Sequence, residues 1–283
     1  MNIATLLPDL EPALKAFAAS EGVMMIKSSS WVMPAVLVTH VLAITVLGGA
    51  MLLPGLRLMG VGMTSVSPAS IEKTVRPWLW AALIALAVTG IFMCIVNPMK
   101  IYKAPAFLVK AIALIPALLL SLGVVRSLAS KDGVMTQQTR VMAIIALVTW
   151  LISILIFGTS YGAAPGSFHV VCAGWLIAMV FGSRLTRIAL GAITAVIITW
   201  MFVMTMLLHS PLDDYDLVME VDRWTLRATA VIVSAFLLWE FVGKPSPDAT
   251  TPKLNRMIGV FTILAWITVA AAGRWIGLGG GGL

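Results

Sequence analysis

Apolar residues in this chain come in long runs rather than in alternation. Eight stretches are nearly free of charge: roughly Trp31–Leu53, Trp78–Val96, Ala106–Val125, Val141–Tyr161, Ser167–Gly182, Ile188–Leu208, Trp224–Val242 and Met257–Ile276. A helix needs about 20 mostly apolar residues to cross the hydrocarbon core. Its backbone groups must be bonded within the segment, because lipid offers no partners. Each run therefore predicts a membrane-spanning helix, the fifth a short one. The breaks between them carry turn residues: Pro54-Gly55, Asn97-Pro98, Pro105, Pro165-Gly166, Pro211, and Pro245 to Pro252. Residues 1–30 contain no such run, but Leu6, Leu10, Leu14 and Phe17 recur at helical spacing. They predict an amphipathic helix lying in the membrane interface. A secretory signal starts with a basic region and continues apolar, whereas Asp9 and Glu11 lie early here.

Composition agrees with this pattern. The chain of 283 residues is 60% hydrophobic and 11% charged, with a mean hydropathy of +1.02. A soluble domain carries about 25% charged residues. Soluble enzyme folds and nucleic-acid modules are excluded as readings of the whole chain, so the net charge of +7 calls for no nucleic acid. Two cysteines without a CxxC spacing build no disulfide framework. Walker, HExxH and GxSxG motifs are absent, as is a dinucleotide-binding fingerprint after a strand.

The few charges set an orientation. Loops after spans one, three, five and seven hold eleven of the 19 basic residues, among them Arg57, Lys73, Arg76, Arg126 and Arg140. The opposite side holds six, together with the acidic run around Asp213, Asp214 and Asp216, which reads as a solvated loop. Basic loops mark the cytoplasm. The expectation is an inner-membrane protein of a bacterium with both termini in the periplasm. Glu240, near the basic end of span seven, has Lys244 as its nearest charge partner in sequence.

The chain also reads as a duplication. Arg140 opens span four ten residues before Trp150, and Arg256 opens span eight ten residues before Trp266. Lys110 follows the start of span three as Arg227 follows that of span seven, and His40 corresponds to His169. The offsets are 116, 117 and 129 residues. The expected architecture is an all-α integral membrane protein of eight transmembrane helices in two parallel four-helix repeats. An interfacial segment (1–30) precedes the first repeat (31–162) and the second (163–283). Both repeats point the same way, so their axis runs along the membrane normal. Gly48-Gly49 and Gly191 are expected at close helix approaches.

Charged groups inside spans are costly and need a reason. Lys110 and Arg227 lie toward the outer ends of their spans, and so do all three histidines, His40, His169 and His209. Imidazole at such a depth suits haem iron, copper or a proton relay. For haem b, two histidines supply axial bonds and a cation takes the propionates. His40 and His169 are the preferred ligands, with Lys110 and Arg227 at the propionates. For copper, Met206 stands three residues before His209 on one helix face, Met33 seven before His40, and Cys172 three after His169.

Trp31 to Gly60, with Pro34, His40, Gly48 and the exit Leu56-Arg57-Leu58-Met59-Gly60, carries a family resemblance. So do Arg76-Pro77-Trp78, Thr89-Gly90, Asn97-Pro98 and Ala106-Phe107 to Lys110. These stretches look like an uncharacterised bacterial multi-span membrane family. That family is in turn similar to the CopD copper-resistance membrane domain and to HemJ-type protoporphyrinogen oxidase. The resemblance covers roughly residues 31–160. The HemJ type implies a functional histidine and lysine associated with haem b, matching His40 and Lys110. The CopD type implies copper handling.

Three functions follow as expectations. The first is a b-type haem protein passing electrons near the outer face. The second is a CopD-like copper-handling or small-solute transporter. The third is a structural subunit of a larger membrane complex. Candidate partners are the bilayer, a redox partner or such a complex, and a second copy of the chain.

Overall fold

The computed structural model describes residues 2–131, 133–161, 182–207, 215–240 and 252–278, together with 171, 174, 175, 177 and 178. All regular structure among them is helical. Six helices are long and apolar enough to cross a membrane. Short helices α1 (Ile3–Leu6), α2 (Glu11–Ala18) and α3 (Glu21–Ser28) lead into α4 (Val32–Leu58), α5 (Pro68–Val96), α6 (Pro98–Lys103) and α7. Helix α7 runs Pro105–Ser130, with a π-helical stretch at Leu119–Val125. Then come α8 (Gln137–Tyr161), α9 (Arg184–Leu207), α10 (Tyr215–Leu238) and α11 (Lys253–Leu278).

Several helices are longer than their apolar runs suggest, α4 and α5 among them. Helix α4 continues through Pro54 to Leu58, and the chain turns at Gly60, whose φ of 75° suits glycine. Helix α5 starts at Pro68, capped by Ser67, whose hydroxyl accepts from the Ser70 N–H at 3.2 Å. Its first turns carry Glu72, Lys73 and Arg76, which a hydropathy run cannot include. The expected fifth span falls largely outside the described residues. Of the expected seventh, Arg227–Phe236 is an apolar stretch within α10.

Helix α11 takes a place that chain order does not foretell. It packs on α4 and α7 and touches α8, so the last helix completes the bundle of the first four. Buried Ile258, Leu264, Ala265, Trp266 and Val269 join one core with Leu47, Leu79, Ala117, Leu120 and Trp150. Two indoles are satisfied across it. Trp150 Nε1 donates to Thr268 Oγ1 at 3.0 Å, and Trp266 Nε1 donates to Ser121 Oγ at 2.8 Å. The crossing of α4 and α11 is made by glycines. A Cβ on Gly259 would lie 2.5 Å from the Gly55 carbonyl oxygen, and one on Gly55 3.0 Å from the Ile263 side chain. By contrast, none of the described residues lies within 4 Å of a Cβ built on Gly48, Gly49 or Gly191. Among the described residues, the close approach of α4 and α11 belongs to Gly55 and Gly259.

Glu240 has partners that its neighbours in sequence do not announce. Its carboxylate accepts from Ser183 N at 2.8 Å and Thr186 Oγ1 at 2.5 Å, so it caps the N-terminus of α9 from the end of α10. Lys244 lies outside the described residues.

The N-terminal helices are fastened over the turn between α5 and α7. The buried Tyr102 donates its hydroxyl to the Leu7 carbonyl at 2.9 Å, and Asn2 Nδ2 donates to the Lys103 carbonyl at 3.0 Å. Glu11 pairs with Lys15 at 3.1 Å and Lys103 at 3.4 Å. Leu6, Leu7, Leu10 and Phe17 stay exposed, as an interfacial segment requires. The hydrogen bond from Lys15, and then that from Lys103, hold the Glu11 carboxyl below the usual glutamate range. A depressed carboxylate stabilises the clasp above its unfolded pKa, and that contribution is lost as the pH falls through the folded value. Relative to the intrinsic rate at each pH, amide exchange over residues 2–28 should therefore become faster as the pH drops below the glutamate range. Glu11→Gln should show the faster exchange already at neutral pH. Acid-insensitive exchange in the unaltered chain would show that the ion pairs do not hold the clasp.

Candidate functional site

The side chains that matter stand toward the end of the bundle covered by α1–α3. His40 is one member of the buried stripe of α4, with Ala43, Leu47, Ala50 and Pro54. It faces α5, whose own buried stripe includes Val75, Ala82, Thr89 and Val96 at seven-residue intervals. Thr89 is the polar member of that stripe. Its Oγ1 lies 2.7 Å from His40 Nδ1 and 2.6 Å from the Ala85 carbonyl oxygen.

These distances fix the tautomer. A hydroxyl has one proton to give. Thr89 donates it to the Ala85 carbonyl, as threonines within helices commonly do. At His40 it must then accept, so Nδ1 carries the hydrogen. The lone pair is left on Nε2, which has no hydrogen-bond partner among the described residues. Gly90 lies beside the ring, where a Cβ would sit 3.8 Å from Cε1. A buried imidazole anchored through Nδ1–H with Nε2 open is the arrangement of a metal-ligating histidine. The same Nε2 can accept a proton.

Lys110 enters from α7, little more than one turn beyond Pro105. Its ammonium acts electrostatically on both His40 and the Cys94 thiol, and so lies near each. Among the described residues it has neither a hydrogen-bond acceptor nor an ion-pair partner. Gly273 of α11 stands against it, a Cβ there falling 3.6 Å from Nζ. A cation with no acceptor among the described residues can take an anionic group of a ligand.

The structure thus places Lys110 within electrostatic reach of His40. It adds Thr89, Cys94 and Gly273, which sequence reasoning did not assign to the site. Thr89 was legible as the polar member of a seven-residue apolar stripe, while Gly273 carries no local signal. His169 and His209 lie outside the described residues. Arg227 is in a different setting from Lys110: its guanidinium stacks over the Trp224 ring at 4.7 Å. Met206 is exposed on α9, whereas His40 is buried. Among the described residues, no three His, Cys, Asp or Glu side chains cluster as a metal cage.

Residues 32–165 match a family of unknown function, DUF6644. The matched stretch carries His40, Thr89, Cys94 and Lys110, and it ends before α11. No curated protein and no solved structure matches the chain.

Proposed function

We propose that this is a membrane b-type haem protein that transfers electrons near the outer face of a bacterial inner membrane. The observation that carries the reading is the buried His40, held by Thr89 through Nδ1, within electrostatic reach of a lysine; neither Nε2 nor the ammonium has a partner among the described residues. His40 Nε2 would hold the haem iron from the first half of the chain, together with His169 or His209 from the second. Lys110 would hold one propionate, and Arg227 the other. Haem supplies one-electron exchange when bound. The chain's own residues orient the imidazole, keep its ligating nitrogen unprotonated and neutralise the propionate charge. The two repeats, the eight spans and the outward termini belong to this proposal. They place both halves' histidines at one depth, where a single haem can be shared between them.

The test is a reduced-minus-oxidised spectrum of protein purified after expression with adequate haem. A b-type difference spectrum is expected, and His40→Ala should abolish it. Thr89→Val should keep haem but shift its midpoint potential, because the imidazole loses the acceptor that orients it. Haem-free protein under those conditions would refute the reading. Copper bound in its place would favour the CopD-like alternative, for which the Cys94 thiol beside Lys110 offers a soft ligand.

A further inference from the structure

At the opposite end of the bundle from His40, a cleft opens between α4, α5, α7 and α11. Its polar end holds Glu72, Arg76 and Arg126, and its walls include Leu79, Trp80 and Leu122. Glu72 organises the two arginines. Arg76 Nε donates to Glu72 Oε1 at 2.9 Å, and Arg76 Nη2 pairs with the other carboxylate oxygen. Arg126 Nε stands 4.0 Å from Oε1, with its side chain 49% exposed. The second pair is too long for a hydrogen bond. Among the described residues the Arg126 guanidinium has no hydrogen-bond acceptor. Two guanidiniums and one carboxylate leave a net charge of +1 at the cleft mouth.

The other polar groups offer no competing donor. Ser121 and Thr262 give their hydroxyl protons to the Ala117 and Ile258 carbonyls. The enclosed space is about 20 Å³, room for one water molecule, so a ligand lies across the mouth and is not enclosed. Trp78 and Trp80 are 62% and 46% exposed on the same stretch of α5. Exposed indoles beside arginines at a helix end mark headgroup depth.

We infer that this cleft binds the phosphate of an anionic phospholipid from the leaflet on the basic side of the membrane. The phosphodiester bridges Arg76 and Arg126, and the acyl chain lies along Leu79, Trp80 and Leu122. An apolar wall running into a net positive end matches an amphiphile. A free phosphate would leave that wall uncovered. Guanidinium forks match phosphate oxygens, and basic pockets between helices on this side take anionic headgroups. Glu72 keeps the two arginines apart and presented when the lipid is absent.

The thermal midpoint of purified protein in detergent tests this, with phosphatidylglycerol, phosphatidylcholine or inorganic phosphate added. Phosphatidylglycerol should raise the midpoint of the unaltered protein by several degrees, and the other two should leave it near the detergent value. R126Q breaks no hydrogen bond of the fold and should lose at least half of the rise, and R76Q/R126Q nearly all of it. R140Q, a basic residue outside the cleft, should keep it. Equal shifts from the two lipids, a full shift in R126Q, or the same loss in R140Q would overturn the proposal. A shift from inorganic phosphate equal to that from phosphatidylglycerol would overturn the lipid and indicate a free-anion site.

Discussion

Gly259→Leu should leave little folded protein, whereas Gly48→Leu and Gly49→Leu should be nearly silent. At Gly259 the first side-chain carbon would already lie 2.5 Å from the Gly55 carbonyl oxygen and 2.8 Å from Met59 Cγ. One obstacle is backbone on a packed helix, so no rotamer change relieves it. Separating α4 from α11 would also open the core that Leu47, Ile258 and Leu264 share. Overpacking alone costs about 1–3 kcal/mol, and forcing two helices apart should exceed the upper end of that range. Gly48 and Gly49 meet none of the described residues, so leucine there should change stability by no more than about 0.5 kcal/mol. Monodispersity and thermal midpoint in detergent report both outcomes. If Gly259→Leu behaved like Gly48→Leu, α11 would not occupy its place between α4 and α7.

Lys110→Met should stabilise the cofactor-free protein and weaken its hold on haem. A lysine near a helix centre in the membrane costs roughly 2.5–3.5 kcal/mol on insertion scales. Lys110 stands nearer its helix end and can partly reach out, so replacing it should gain about 1–2 kcal/mol. The gain arises because no acceptor among the described residues loses a partner. Methionine fills a similar volume with an apolar, flexible chain. In the haem-loaded protein the sign should reverse, since a propionate would then lose its counter-charge. Chemical denaturation of protein made with and without haem supplementation reads the two signs. Destabilisation of the haem-free form would show that Lys110 serves the fold, and would remove the reason for giving it a ligand.

Much of the site was legible because it breaks a pattern. His40 and Lys110 are polar residues inside apolar runs, and such residues stand out in one dimension. Thr89 breaks a stripe in the same way, but threonine is common in apolar helices, so its role appears once the 2.7 Å contact with His40 is seen. Cys94 and Gly273 are small and unremarkable in an apolar chain. What assigns them is their nearness to Lys110, and no spacing rule relates α5 or α11 to α7. The cleft at Glu72 was missed because its charges read as loop residues that set orientation. Helix α5 in fact begins before them and carries them into the bundle's edge.

The sequence by itself determined that this is a helical membrane protein, where most of its helices run, and which buried-depth polar residues need explaining. Those are local properties: a run of apolar residues either spans the hydrocarbon or does not. The tertiary structure alone decided that the last helix completes the first bundle, and that Gly55 and Gly259 make its close contact. It also decided which nitrogen of His40 is anchored to Thr89, and that Arg76 and Arg126 share one carboxylate. In water an apolar face announces what is buried. In lipid the faces toward protein and toward solvent are equally apolar, so hydrophobic periodicity does not say which helices meet. The low moment of the pattern leaves that choice to side-chain shape and to a few hydrogen bonds between helices distant in the chain.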